Sequence, residues 1–233
     1  MTDVTRRLAK FAAGISHQSI PADVMQRAAM LVMDNVGIAL RAHHDAQSTP
    51  ALVKGATVLG LDGGKSVVIG DRRGFTPAGA ALINGAQAHS LDFDDTHARS
   101  SLHPSAPIVP AALAAAEMTG ADGEELIPAI IGGYETQIRL SMALGPSDHY
   151  DRGFHPTATC GVFGAAAALA ARVQQAEAGI AAAEARLALA NRELMRDSRE
   201  SGEITGGPKP FGKSDRSEFL NRLETTVQAA KRR

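Results

Sequence analysis

Residues 84–110 read NGAQAHSLDFDDTHARSSLHPSAPIVP and set Asp92, Asp94, Asp95, His97 and His103 in a short polar segment between two Ala-rich apolar runs. Apolar runs of this kind bury themselves as helices, so the segment between them is held on a packed scaffold. Polar loop residues placed that way carry function more often than structure. Asp92, Asp94 and Asp95 admit three readings. Closely spaced carboxylates suit Mg²⁺ or Ca²⁺, although the rest of a loop such as the EF-hand pattern is missing. One of them, its pKa raised by like-charged neighbours, suits acid–base catalysis. The third reading is that they cap and solvate a loop. Three acids packed so closely in sequence do not all face one ligand, which leaves at least one with a structural role.

Downstream, one feature of the segment recurs. His103-Pro104 precedes Ser105 and APIVPAALAAAE, and His155-Pro156 precedes Thr157 and ATCGVFGAAAALAA. Proline disfavours helical geometry for the residue before it and suits the first turn of a helix. Each histidine is therefore expected just outside a helix N-terminus, beside unpaired backbone N–H groups. That position favours a neutral imidazole and attracts carboxylates. Either histidine alone reads as a loop residue; with the acidic segment, the pair points to chemistry on a polyanionic acid.

Upstream, Val4, Leu8, Phe11, Ala12 and Ile15 share one face of a first helix, which Gly14 to Pro21 interrupts. Pro21 opens a second helix, carrying Val24, Met25, Ala28, Leu31, Val32, Asn35 and Val36, that ends near His43 or His44. A solvated helix end accounts for those histidines better than metal binding, since no acidic or Cys ligand stands at a matching spacing. Pro50 to Gly60 is a short helix. Lys65 to Ile69 is the one convincing strand, bounded by Gly63-Gly64 and Gly70-Asp71. Lys65, Arg72 and Arg73 beside it read as a charged surface turn rather than an anion site. Thr76 or Pro77 starts the apolar run into the acidic segment. Glu124 and Glu125 open a helix through Leu140 whose polar exceptions are Tyr134, Glu135 and Arg139. Arg139 either clamps a carboxylate or pairs with Glu135 four residues away.

The 233 residues hold one or two domains. Abundant Ala and Gly, few aromatics and no Trp suit helices packed closely through small residues. A net charge of −1 gives no reason to expect nucleic acid or an anionic membrane as partner. Cys160 is the only cysteine, so no internal disulfide forms and a reducing compartment is the simplest inference. No run is long enough to span a membrane, and MTDVTRRLAKFAAGI lacks a signal-peptide pattern, so the expected location is cytoplasmic.

The motifs DNVGIAL, AALINGAQAHSLDFDDTH, HPSAPIVPAALAAAE, GGYE and RGFHPTATCGVFGAAAA, in this order across residues 4–172, resemble the MmgE/PrpD family. That family includes 2-methylcitrate dehydratase and cis-aconitate decarboxylase. The resemblance implies an all-helical domain with a smaller α/β lid domain, and dehydration or decarboxylation of tricarboxylic acids without metal or cofactor. It also implies homodimers. By motif, Asp92, Thr96, His103 and His155 match the family's active-site positions, while lysines and in some members a tyrosine come from segments beyond the second histidine. A substrate with several carboxylates needs cations to hold it, and Arg99, Arg139 and Arg152 are the candidates here.

After Arg172 the chain departs from the family pattern. The expected organisation is a helical domain over 1–172 without its lid, a heptad-patterned helix over 173–197, a flexible linker over 198–213 and an amphipathic helix over 214–233. Val173, Ile180, Leu187 and Leu194 recur every seven residues, with Ala176, Ala183 and Ala190 three places after the first three, as in a close-packed coiled coil. SRESGEITGGPKPFGK has the composition of a linker, and Glu218 completes a capping box for the last helix. Two functions compete: a tricarboxylate lyase, truncated and weakly active or inactive alone, and an incomplete helical protein whose tail serves assembly. The expected partners are a di- or tricarboxylate and further copies of the chain.

Overall fold

Both Ala-rich runs flanking the acidic segment are helices in the computed structural model, which describes residues 3–170. The chain runs α1 (Asp3–Ala13), α2 (Ala22–Asp45), α3 (Ser48–Val58), β1 (Asp62–Val67), β2 (Gly74–Phe75), α4 (Pro77–His89), α5 (Ser105–Thr119), α6 (Gly123–Leu144) and α7 (Pro146–Asp151). A further helix, α8, covers residues 156–170. Single 3-10 turns stand at His17–Ser19 and Ala98–Ser100. The described residues are thus helix-rich, as expected, apart from one small sheet. The heptad helix at 173–197, the linker at 198–213 and the helix at 214–233 lie outside the described residues. No described helix is long and apolar enough to cross a membrane.

Local sequence explains where the helices begin. Thr76 caps α4 by accepting from the Gly79 N–H at 3.1 Å, and Asp122 caps α6 by accepting from Glu125 at 3.1 Å. Pro21 sits just ahead of α2 and Pro77 at the first position of α4, where no N–H is needed. His103-Pro104 and His155-Pro156 each lead into a helix, as their sequence pattern predicts.

α5 is the centre. It packs on α4 and α6, and α2 lies against all three. Ile108, Val109 and Ala112 of α5 meet Ile130 of α6 and Ala168 of α8, with Val32, Leu113, Leu126 and Tyr134 packed around them. Each fully buried branched side chain contributes about 1.5–3 kcal/mol. The helices approach closely because the contacts are small. A Cβ on Gly133 of α6 would stand 2.8 Å from Ile108 Cγ2 and 2.9 Å from the Gly164 carbonyl of α8. Pro110 offers no N–H to the Ala106 carbonyl, and Gly85 of α4 comes up against that oxygen, where a Cβ would stand at 3.2 Å.

The sheet differs from the sequence expectation. The strand begins at Asp62 rather than Lys65 and pairs antiparallel with Gly74–Phe75, a second strand the sequence reading did not foresee. Gly63-Gly64 lies inside the strand instead of bounding it. Gly63 takes a positive φ of 76° where the strand register shifts, and the reason at Gly64 is steric: a Cβ there would overlap the Phe75 carbonyl, and one on Gly74 would overlap the Gly64 carbonyl. The backbones thus touch where a turn signal was read. Phe75, Val68, Val53, Ala56, Ala80 and Ile83 form a second core between this hairpin, α3 and α4. Asn84 of α4 ties the hairpin down, accepting from the Ile69 N–H at 2.8 Å and donating to the Val67 carbonyl at 2.9 Å. Arg73 donates to Asp71 at 3.0 and 2.6 Å, so this charged turn is internally paired.

Replacing Gly64 with Ala should force the two strands apart and destabilise the protein by about 1–3 kcal/mol, the usual range for overpacking. Thr76→Ala should cost about 1 kcal/mol through the lost cap. Urea unfolding followed by circular dichroism checks both; an unchanged midpoint for Gly64→Ala would contradict the close approach.

Candidate active site

Close packing of α4 on α5 leaves the linker 90–104 to fold back over the helix ends. Two non-glycine residues in it adopt left-handed backbone, Asp92 at φ 57° and Ser101 at φ 51°, a conformation that persists where surrounding contacts over-determine it. Around Ser101 those contacts are present. His97 N–H donates to the Leu102 carbonyl at 2.9 Å, Leu102 is fully buried, and Ser141 of α6 donates to the Ser100 carbonyl at 2.7 Å.

The left-handed turn at Asp92 sends the three acids to different places. Asp92 is exposed, and its backbone N–H donates to the His89 carbonyl at 3.3 Å. Asp94 turns inward, its side chain fully buried, and its Oδ2 lies 2.9 Å from Nδ1 of His89 in the last turn of α4. Its Oδ1 has no hydrogen-bond partner; the nearest cationic candidate is His103 Nδ1 at 3.6 Å. Asp95 accepts from the Ser105 N–H at 3.0 Å and from the Tyr134 hydroxyl at 3.0 Å. It therefore occupies the N-terminus of α5, the seat that the sequence alone offers to a substrate carboxylate. Ser105 Oγ also hydrogen-bonds the Tyr134 hydroxyl. Burial first, and the Asp95 charge second, push the Tyr134 phenol well above its ordinary pKa.

His103 is the meeting point. Its Nδ1 lies 3.4 Å from Thr96 Oγ1, its ring packs edge-on to His89 with centroids 5.0 Å apart, and its N–H donates to Thr157 Oγ1 at 3.0 Å. The last bond joins the start of α5 to the first turn of α8. His155, two residues before Thr157, is exposed and packs edge-on to Tyr150 with centroids 5.7 Å apart. Thr96, Asp95, His97, Pro104 and Tyr134 border a cleft of about 560 Å³ whose far wall is α2, with Arg27 and Asp34.

Among the residues expected from sequence, Thr96 and His103 come together. His155 is not brought to them: it is exposed against Tyr150, and it is Thr157, two residues on, that bonds the His103 N–H. The Asp92 side chain is exposed. Arg99 and Arg152 are exposed. Arg139 pairs with Glu135 at 2.6 Å and lies over the Phe11 ring at 5.3 Å, the plainer of its two sequence readings. None of the three lines the cleft; Arg27 does. Sequence reasoning did not single out His89, although it stands in the last helical turn five residues before Asp94. His43 takes a structural role, its Nδ1 2.9 Å from Gln87 Nε2.

A sequence model of the MmgE/PrpD N-terminal domain matches residues 6–205, past Arg172 where the motif resemblance ends. The cis-aconitate decarboxylase-like protein oryM of Aspergillus oryzae is 33% identical over 176 residues, covering 72% of this chain and 36% of that protein. Cis-aconitate decarboxylase of Aspergillus terreus is 31% identical over 170 residues, covering 70% and 34%. The chain thus spans about a third of the length of these relatives. A shorter likeness, 60% identity over 45 residues, relates 19% of the chain to 30% of the UPF0178 protein amb2838 of Paramagnetospirillum magneticum.

The Tyr134 environment predicts a late-titrating phenol. One of the chain's two tyrosines should stay protonated well above the ordinary phenol pKa of about 10, and Tyr134→Phe should abolish that late step in tyrosinate absorbance. Since the folded state holds this proton after the unfolded state has lost it, stability should fall as pH rises above about 10, and the mutant should fall less.

Proposed function

The chain belongs to the MmgE/PrpD family, and from that premise we propose that it serves a lyase reaction on a di- or tricarboxylic acid, with His103 moving the proton. The seating of His103 is the observation that carries this reading. Its imidazole stands beside the Thr96 hydroxyl and a buried carboxylate, and its own peptide N–H is anchored to the first turn of α8. A base held at both ring and backbone keeps a fixed direction, which is what general acid–base catalysis requires.

In a dehydration, neutral His103 takes the proton next to a carboxylate, the C–O bond breaks, and the hydroxyl leaves as water with a proton from an acidic partner. In a decarboxylation, the bond to the lost carboxylate breaks, the electron pair moves into the remaining conjugated acid, and a protonated imidazole returns a proton to carbon. The names of the Aspergillus relatives favour the second with cis-aconitate; 2-methylcitrate dehydration is the counterpart. His155 is the complementary proton group, Thr96 orients His103, and Asp92 is carried with them by motif. Arg99, Arg139 and Arg152 remain the cations proposed to hold carboxylates, and Arg27 is added because it lines the cleft. That cleft also holds Asp34 and Asp95, so one arginine meets two acids. Turnover by this chain alone is therefore proposed to be weak or negligible.

A second reading, assembly with another copy of the chain, draws support from exposed apolar side chains on and near α2. Met30 is 55%, Met33 74% and Phe93 72% exposed, and they border a second cleft of about 510 Å³. Large exposed apolar patches mark interfaces.

Calorimetric titration with cis-aconitate, citrate and 2-methylcitrate tests the first reading. Weak binding is expected, reduced roughly tenfold or more, about 1.4 kcal/mol, by His103→Ala or His155→Ala. Equal affinities in all three proteins would remove the site, and brisk turnover would show that the chain needs nothing further. For the second reading, light scattering should give a dimer or larger species that Met33→Asp dissociates; a monomer mass before and after would reject it.

A further inference from the structure

The cleft bordered by Thr96 and Tyr134 does not end at their side of α2. It shares Met30 and Asp34 with a second groove, so the two meet along that helix. Arg27, Met30, Asp34, Gly37 and Arg41 recur three and four residues apart and form one stripe of α2. At 1.5 Å per residue the stripe runs about 21 Å. Its two ends differ: Arg27 stands in the site cleft, while Arg41 is paired with Asp45. We propose that the acid taken by the site carries an apolar chain, which lies in the groove lined by Met30, Met33, Gly37, Ile38 and Phe93. The inference rests on the lyase reading above and narrows its substrate class to a di- or tricarboxylic acid with an alkyl substituent of several carbons.

Gly37 separates a built groove from a bare helix face. It stands in the interior of α2, where glycine is destabilising relative to alanine. Close packing accounts for Gly85 and Gly133, at which a Cβ would press on neighbouring backbone. Gly37 has no such neighbour: a Cβ there would meet no described atom within 4 Å. The missing side chain therefore serves nothing in the packing of the described residues and leaves an open floor. Met30 and Met33 beside it suit an alkyl chain, because unbranched thioether side chains adapt to irregular apolar shapes.

Volume and charge favour a chain over another carboxylate. The site cleft alone, about 560 Å³, already lies within the range of small-molecule sites. The groove adds about 510 Å³ that a small tricarboxylic acid does not need. Asp34 stands where the two meet and repels a further carboxylate, which leaves the groove to the uncharged part of the ligand. The carboxylates then face Arg27, and the chain extends away from it.

The test titrates the full chain with methylsuccinate, butylsuccinate and octylsuccinate, with octanoate as a control that lacks the second carboxylate. Affinity should rise about twofold per added methylene, short of the roughly fourfold of full burial because the groove is open to solvent. Octylsuccinate should bind more tightly than octanoate, and His103→Ala should weaken all three succinates. Gly37→Leu should cut the preference for octylsuccinate over methylsuccinate roughly tenfold, and Met33→Ser, at an exposed position, should lower it by a smaller factor. Equal affinities along the series, still sensitive to His103→Ala, would overturn the chain and leave the lyase reading standing. A chain preference that Gly37→Leu removes but His103→Ala does not touch would keep the groove and reject the lyase reading. Binding of none of the acids rejects both. Octanoate matching octylsuccinate, or a preference that survives both groove substitutions, overturns the proposal. A dimer that Gly37→Leu dissociates, with no effect of chain length, would assign the groove to a second copy instead.

Discussion

The close contact between α4 and α5 is the constraint on which the rest depends. Gly85 against the Ala106 carbonyl, with Pro110 beside it, lets two helix backbones touch without intervening side chains. Once they do, the linker 90–104 cannot run straight from one helix to the next. It must turn back across the ends of both, and it does so through left-handed residues at Asp92 and Ser101. A Cβ on Gly85 would stand 3.2 Å from the Ala106 carbonyl, so the two helices, with His89 at the end of one and His103 at the start of the other, would have to give by a few tenths of an ångström. Backbone packing in the core thus sets a side-chain distance at the surface.

The same turn explains why three neighbouring carboxylates do not repel one another into disorder. Each has its own partner or its own solvent. Asp92 faces water, Asp94 is buried against His89, and Asp95 caps α5 while accepting from Tyr134. Charge-assisted hydrogen bonds of the last kind are about twice as strong as neutral ones. Asp95 holds the start of α5, and therefore Pro104 and His103, against the Tyr134 hydroxyl. The reading that at least one acid is structural fits Asp95.

Much of this was legible in the sequence because it depends on local chemistry. Thr76 or Pro77, the pair Glu124 and Glu125, and the two His-Pro pairs mark helix starts by capping, charge and proline geometry, and the structure has helices there. The hairpin was misread because Gly63-Gly64 has two physical uses. Glycine serves turns through positive φ and serves close strand contact through its missing Cβ, and only the partner at Gly74–Phe75 distinguishes them. The pairing of His89 with Asp94 and the approach of Arg27 to the cleft were not legible for a related reason. Both depend on how α4 ends relative to its linker and on which face α2 presents, and these are tertiary facts.

That arrangement also changes where a substrate carboxylate can be held. Sequence offers two helix N-termini, at α5 and at α8, each preceded by a histidine. Asp95 already satisfies the Ser105 N–H at the first, so a second carboxylate there would meet a like charge. At α8 the corresponding first turn carries Thr157, a hydroxyl that accepts from the His103 N–H and brings no charge. The positive end of α8 thus stays available while that of α5 is neutralised. His103 then stands between an occupied anion seat and an open one. The two His-Pro motifs, matching in sequence, thus open onto different surroundings: His103 is held beside Thr96 and His89, while His155 is exposed and packs on Tyr150.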